Sequence, residues 1–301
     1  INMYPWIDLY FIKIPSFGLM VASAFLICNH YLKKEFKKND LSEKIIDDII
    51  FYAVISAILG SKIYFVIESQ SFDLLFTNIK NIFYSLITLD FTNLIHELQS
   101  MGSGLTFNGG LICAIVLIAF YVKRNNLDFL ELADIITPFI LLGHGIGRIG
   151  CLLVGDDYGI PSNLPWAIAL PNGLPVTSIE TFMTHYSFFG YSKEYLQQFL
   201  VENSNNIITV HPTQIYEMLL YFFFFYLIMK NKDSISIFKG SVFSAYLITG
   251  GFSRFIVEFL RTNERYMLNL SSAQYVSLVM IISGLTLFYI LKTKKITHGN
   301  S

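Results

Sequence analysis

The chain has 301 residues, 53% hydrophobic and only 14% charged, with a formal net charge of −1 and a mean hydropathy of +0.53. A soluble domain carries roughly a quarter charged residues, so an ordinary water-soluble globule is excluded. The near-zero net charge likewise excludes the basic footprint of a nucleic-acid-binding protein.

Long apolar blocks alternate with short polar joints along the chain. A helix needs roughly 20 residues to cross the hydrocarbon core. The blocks therefore predict an all-α membrane protein of about seven transmembrane helices, at 15–32, 47–68, 104–122, 130–153, 210–229, 238–260 and 271–291. The N-terminal stretch has neither a basic start nor a small-residue cleavage site, so the first span is expected to act as its own insertion signal. One set of joints carries Lys33, Lys34, Lys37, Lys38, Lys44, Lys123, Arg124, Lys230, Lys232, Lys239, Lys292, Lys294 and Lys295, whereas the opposite set carries only Lys13, Lys80, Lys193 and Arg265. Lys and Arg accumulate on the cytoplasmic side, which predicts the N-terminus outside and the C-terminus in the cytoplasm.

A single polytopic domain over 1–301 is expected, with two elaborations on its outer face. Residues 72–99 mix apolar and polar positions at helical spacing and read as interfacial arm helices. Residues 156–209 are rich in Pro, Gly, Asn and aromatics and read as a small, irregular extracytoplasmic head. Cys28, Cys113 and Cys151 all lie in apolar segments, an odd set that suggests buried thiols and not a disulfide framework.

Charges inside the spans are the costly residues, at about 2.5–3.5 kcal/mol each near the bilayer centre on insertion scales. Lys62 reaches the interface by snorkelling. The fourth span ends Gly143-His144-Gly145-Ile146-Gly147-Arg148-Ile149-Gly150-Cys151 and runs on through Gly155, Asp156, Asp157 and Gly159. Its glycines match G-x-G-x-x-G, but that fingerprint needs a strand and a soluble βαβ unit. Close helix approach through Gly143 and Gly147 explains the glycines without a dinucleotide. It does not explain Arg148, which needs an anionic partner. His144, Arg148 and Cys151 share one helix face at i, i+4 and i+7. They suggest either a polar pocket holding phosphate or carboxylate on the Arg148 fork, or an internal Arg–Asp lock.

The fifth span opens His211-Pro212-Thr213-Gln214-Ile215-Tyr216-Glu217, with proline in its customary place at a helix start. His211 alone suits a plain interfacial role, whereas Glu217 lies deeper. The sixth span ends with Arg254, Glu258 and Arg261 on one face. Glu258 pairing with both arginines still leaves one positive charge, and with Arg148 this predicts an electropositive site suited to a phospholipid head group. H-x-x-H, H-E-x-x-H and C-x-x-C spacings are absent from the sequence, which gives no reason to expect a metal or an organic cofactor.

Taken in order, Pro15-Ser16-Phe17-Gly18-Leu19-Met20, Phe107-Asn108-Gly109-Gly110-Leu111, Gly147-Arg148-Ile149-Gly150 with Gly155 and Gly159, His211 to Glu217, and Arg254-Phe255 with Glu258 resemble the prolipoprotein diacylglyceryl transferase family. The resemblance spreads over most of the chain. It implies a multi-pass protein of the bacterial inner membrane that moves diacylglyceryl from phosphatidylglycerol to the lipobox cysteine thiol of a secreted preprotein, with glycerol phosphate leaving. Its partners would be membrane lipid and that preprotein, and the chain would act as a monomer.

By the same resemblance Arg148 and Arg254 would hold the phosphate and the leaving group, with Glu258 orienting Arg254. Phe17, Asn108, Gly109, Gly110, Cys151, Gly155, Gly159, His211, Glu217 and Arg261 would line the substrate site. Four positions depart from the family pattern, which usually has Tyr at Phe17, His at Asn108, Asn at Cys151 and Glu at Asp156. Losing the histidine removes the most obvious base for the thiol, and His144 or Asp156 is the expected replacement. A relative with another acceptor and a non-catalytic phospholipid-binding protein are the alternatives these departures leave open.

Overall fold

The computed structural model describes residues 3–9, 12–69, 72–88, 90, 93, 94, 107–204 and 206–298. The chain forms two compact units, Ile1–Glu35 with Leu130–Ser301, and Phe36–Phe129. It is mostly helical, and each predicted apolar block centres on a helix. These are α1 (Ser16–Lys38), α2 (Glu43–Ile55) continued through a π-turn at Ser56–Gly60 into α3 (Ser61–Ser69), α4 (Phe72–Ile87) and α5 (Phe107–Arg124). They are followed by α6 (Phe129–Val154), the short α7 (Ile179–Thr184) and α8 (Lys193–Gln197), and α9 (Thr213–Lys230). The series ends with α10 (Lys232–Ile235), α11 (Ser241–Glu258) and α12 (Ser272–His298).

Among the described residues, three stretches are long and apolar enough to cross a membrane, Glu43–Ile67, Phe129–Val154 and Ser272–Lys295. Their outward faces carry large apolar side chains: Val276, Val279, Ile282 and Leu285 are each more than half exposed. Such a stripe in water would be an aggregation site, whereas in lipid it is the solvated face.

One element departs from the all-α expectation. Trp6–Leu9 (β1) and Ile12–Pro15 (β2) pair antiparallel, with Trp6 opposite Pro15 and Asp8 opposite Lys13. Strands this short fall below the window in which periodicity can be read. The hairpin ties the chain start to the end of α6, because the Tyr4 amide donates to the Leu153 carbonyl (2.9 Å) and Ser16 Oγ donates to the Pro5 carbonyl (3.1 Å).

In the Phe36–Phe129 unit, small residues let the helices touch. A Cβ on Gly109 would fall onto Tyr64 and the Gly60 carbonyl, and one on Gly110 would meet Ser61 Oγ. The Tyr121 hydroxyl donates to the Asp48 carboxylate at 2.9 Å. Of the 72–99 arm, α4 is helical as expected, and 95–99 lie outside the described residues.

In the other unit, α11 and α12 pack through the same device. A Cβ on Gly251 would press on the Ser277 carbonyl, and one on Gly284 on the Ser244 carbonyl. Residues 156–209 have little regular structure but a core of their own, in which Tyr158, Leu170, Phe182, Leu196, Ile208 and Val210 are almost fully buried. Isolated bridges such as Pro161 with Val210 and Leu200 with Ile208 knit it together.

Asp134, inside α6, caps a different helix. Its carboxylate accepts from the Gly240 and Phe243 amides, both at 2.7 Å, at the start of α11. Amides in the first turn of a helix depend on such caps, and Asp134 is buried, so its removal takes away a buried acceptor. Asp134→Ala should cost about 1–3 kcal/mol. The exposed Lys239–Glu131 pair at 2.6 Å is worth about 0–1 kcal/mol. Thermal unfolding in detergent should therefore show a larger loss for Asp134→Ala than for Glu131→Ala.

Candidate active site

Three helices converge on one ionic cluster. Helix α6 contributes Arg148 and Cys151, α9 contributes Glu217 and Tyr221, and α11 contributes Arg254 and Glu258. Arg261 follows the end of α11, and Asp156 and Asp157 follow the end of α6. Helix α6 stops there because Gly155, at φ +74°, turns left-handed and its amide returns to the Cys151 carbonyl (2.8 Å). Asp157 is itself left-handed at φ +58°, a conformation that Asp tolerates better than most residues.

Glu217 is the hub. Its side chain is 0% exposed, yet it meets Arg148 Nε at 3.0 Å, Arg254 Nη1 at 3.1 Å and Arg261 Nη1 at 3.6 Å. The Tyr221 hydroxyl adds a hydrogen bond at 2.9 Å. Glu258, also fully buried, lies 3.2 Å from Arg254 and 3.6 Å from Arg261 and accepts from Asn263 (2.6 Å) and Ser271 (2.7 Å). Asp157 bridges Arg148 Nη1 at 2.6 Å and Arg261 Nη2. Its backbone is anchored by Thr213, whose hydroxyl donates to the Asp157 carbonyl at 2.7 Å, and Gln214 donates to the Asp156 carbonyl.

The expected surplus of positive charge is therefore corrected. Three guanidinium groups face three carboxylates, because Glu217 and Asp157 join Glu258 in neutralising them. Access is unequal, however. The Arg148 and Arg254 side chains keep 18% and 23% of their surface, whereas Arg261 keeps 5%. Beyond Arg148, Gly147 borders open space.

The two aspartates differ electrostatically. Partial burial works to raise the Asp157 carboxyl, but Arg261 and Arg148 outweigh it and hold it at about 2. Burial, reinforced by the charge of Asp157, pushes Asp156 up to about 6. Asp156 Oδ1 is buried with no hydrogen-bond partner among the described residues.

The sequence model of the prolipoprotein diacylglyceryl transferase family matches residues 6–290. The chain belongs to that family. Proteins named phosphatidylglycerol–prolipoprotein diacylglyceryl transferase resemble it over nearly their whole length. That of Clostridium tetani is 31% identical over 293 residues, covering 96% of this chain and 97% of its own. That of Finegoldia magna is 31% identical over 279 residues, covering 92% and 90%.

Within this family member, Arg148, Cys151, Asp156, Glu217, Arg254, Glu258 and Arg261 come together as one neighbourhood. Cys151 Sγ lies 3.4 Å from Arg148 Nη1. His144 stands apart from the ion pairs, against the Tyr221 ring with centroids 5.3 Å apart. Phe17 packs over Gly150, where a Cβ would meet its ring at 3.1 Å. His211 Nδ1 lies 3.3 Å from the Tyr216 hydroxyl, and its backbone carbonyl accepts from Gly159. Gly159 admits no side chain, since a Cβ would strike the Leu260 carbonyl, His211 and Thr213. Asn108, Gly109 and Gly110 belong to the other unit, and the Asn108 side chain lies outside the described residues.

Sequence reasoning singled out Glu217 but not its position as hub, read Gln214 as a plain interfacial residue, and offered an Arg–Asp lock without choosing between Asp156 and Asp157, of which Asp157 pairs with Arg148. Removing one partner of a buried ion pair costs about 3–5 kcal/mol, because the other charge is left uncompensated. Glu217→Gln leaves three arginines crowded together and should sharply lower the folded fraction in detergent extracts, read by size exclusion. Tyr221→Phe removes one hydrogen bond and should cost only about 1 kcal/mol.

Proposed function

We propose that this chain is a phosphatidylglycerol–prolipoprotein diacylglyceryl transferase that acts on the lipobox cysteine of secreted preproteins. The observation that carries the reading is a fork of two partly accessible arginines, Arg148 and Arg254, held in place from behind by buried Glu217. Family membership over residues 6–290 and the names of the relatives support the same substrates.

The preprotein sulfur attacks the diacylglycerol carbon that bears the phosphate ester. A C–S bond forms, the C–O bond breaks, and glycerol phosphate departs with the electron pair. The phosphate begins as a monoanion and leaves as a dianion, so charge grows on it during the step. Arg148 and Arg254 contact the phosphate and stabilise that growth more than they stabilise the ground state. Glu258 positions Arg254, and Glu217 positions both arginines.

The thiol must lose its proton to attack. Asp156 takes it, since its carboxylate adjoins the cluster and its Oδ1 accepts no hydrogen bond among the described residues. His144 is the second candidate. Cys151 and Phe17 complete the lipid and peptide surfaces.

All seven apolar blocks span the bacterial inner membrane with the N-terminus outside, which puts the arginine cluster at the outer leaflet and the 156–209 head beyond it. Lysine-rich joints on the opposite face support this orientation. The α4 arm lies in the interface. The chain works as a monomer, a reading supported by an ionic cluster that one chain completes alone.

The deciding test is transfer of label from phosphatidylglycerol to a lipobox peptide by the purified protein. Label on the peptide cysteine, lost in Arg148→Ala, is the expected result. Folded protein without transfer, beside an active control enzyme, would favour another acceptor or a non-catalytic lipid binder.

The base carries its own pH signature. The reactive form of Asp156 is the carboxylate, whose fraction rises with pH through about 6. The transfer rate should therefore climb about tenfold per pH unit below that value and level above it. Asp156→Asn should abolish this limb and lower the rate by roughly 10²–10⁴-fold. A limb that survives there and vanishes in His144→Ala would move the role to His144, and full activity in both variants would reject both bases.

A further inference from the structure

Asp157 has no function in the transfer just described, yet it holds Arg148, one arm of the arginine fork, and ties it to Arg261. Its two carboxylate oxygens engage Arg148 and Arg261 separately, a bridge of the kind that two phosphate oxygens would make. It is also the displaceable member of the cluster. Its side chain is 39% exposed, whereas those of Glu217 and Glu258 are 0% exposed and hold the arginines from within. It stands on a turn with left-handed residues at Gly155 and Asp157, set outside the helices that fix the other carboxylates.

The charges demand an exchange. Counting direct ion pairs alone, with Asp157 in place three arginines meet three carboxylates, and a phosphate bound to those arginines would be a fourth anion. With Asp157 turned away, three arginines meet two carboxylates, and the phosphodiester monoanion restores the balance.

We infer that Asp157 is an internal anion placeholder that occupies the phosphate site between turnovers, yields it to the phosphatidylglycerol head group, and returns to displace glycerol phosphate. This rests on the transferase reading above. The carboxylate competes with both substrate and product for the Arg148 guanidinium. Apparent affinity is reduced by the fraction of protein in which Asp157 still holds the site. Asp157 is thus a specificity and release residue and takes no part in bond making.

The test compares the full chain as wild type, Asp157→Asn and Asp157→Glu in the transfer assay, with glycerol 1-phosphate as the added product inhibitor. Asp157→Asn should lower KM for phosphatidylglycerol and strengthen inhibition by glycerol 1-phosphate, each by roughly three- to tenfold. Asp157→Glu keeps the charge and should leave both values closer to wild type than Asp157→Asn does. A purely structural role predicts the opposite sign, with weaker binding and a raised KM, and that result or an unchanged KM overturns the placeholder.

Wild-type protein gives an arm that needs no variant to fold. Carboxyl footprinting with a carbodiimide and an amine, read by peptide mass spectrometry, should label Asp157 more heavily as glycerol 1-phosphate is added. Constant or reduced labelling overturns the proposal. Absence of transfer in wild type would count against the transferase reading alone, because footprinting still reports whether a phosphate monoester expels Asp157.

Discussion

A single buried carboxylate organises this protein. Glu217 has no exposed surface and lies within ion-pair distance of three arginines from two other parts of the chain. Removing an ion from water carries an effective penalty of several kcal/mol even after the surroundings relax. Repayment of that cost needs good geometry and hydrogen bonds to the remaining oxygens, which the three arginines and Tyr221 supply together. The constraint reaches outward from there. Helices α6, α9 and α11 must end at the same depth, and Gly145 must be bare because a Cβ would strike the Phe222 ring of α9. Gln214 and Thr213, one turn before Glu217, must hold the turn that carries Asp156 and Asp157.

The same constraint separates structure from chemistry. Carboxylates with no exposure fix the arginines, and the exposed edges of Arg148 and Arg254 remain for a ligand. Glu258 shows the division clearly, since Asn263 and Ser271 both donate to Oε1 while Oε2 faces Arg254 and Arg261. An arginine fork prepared in this way loses little freedom when phosphate arrives. Preorganisation of that kind makes an electrostatic contact effective in the reacting state.

Much of this was legible in the sequence, and the reasons for the exceptions are physical. Arg148, Arg254 and Glu258 announce themselves because a charge in an apolar helix is expensive and needs a partner. The helix-face rule pairs Glu258 with its neighbours at three and four residues. That rule is blind to partners on other helices, so Glu217 stood out as a deep charge without its partners and the cluster read as electropositive. Asp157 was hidden for a different reason. Its direction depends on the left-handed turn at Gly155 and on anchoring by α9, neither of which has a local periodic signal. Gly109 and Gly110 read as substrate lining from family resemblance, yet their bare backbones also serve helix contact, and sequence cannot separate those uses. The β1–β2 hairpin escaped because each strand is four residues long beside a much longer apolar block.

A phosphate site built in a membrane faces a problem that a soluble one avoids. Three uncompensated guanidinium groups at the end of apolar helices would each carry an insertion penalty of about 2.5–3.5 kcal/mol at the bilayer centre, less toward the interface. The resting site must therefore carry its own anions. If all of them were buried and fixed, the arginines would be neutralised permanently and a phosphate would find no net attraction. If none were fixed, the arginines would repel one another when the site emptied. Two buried glutamates and one exposed aspartate satisfy both demands. The glutamates leave one positive charge of the three unbalanced, and Asp157, on the partly exposed side, pairs with Arg148 and Arg261 to cover it.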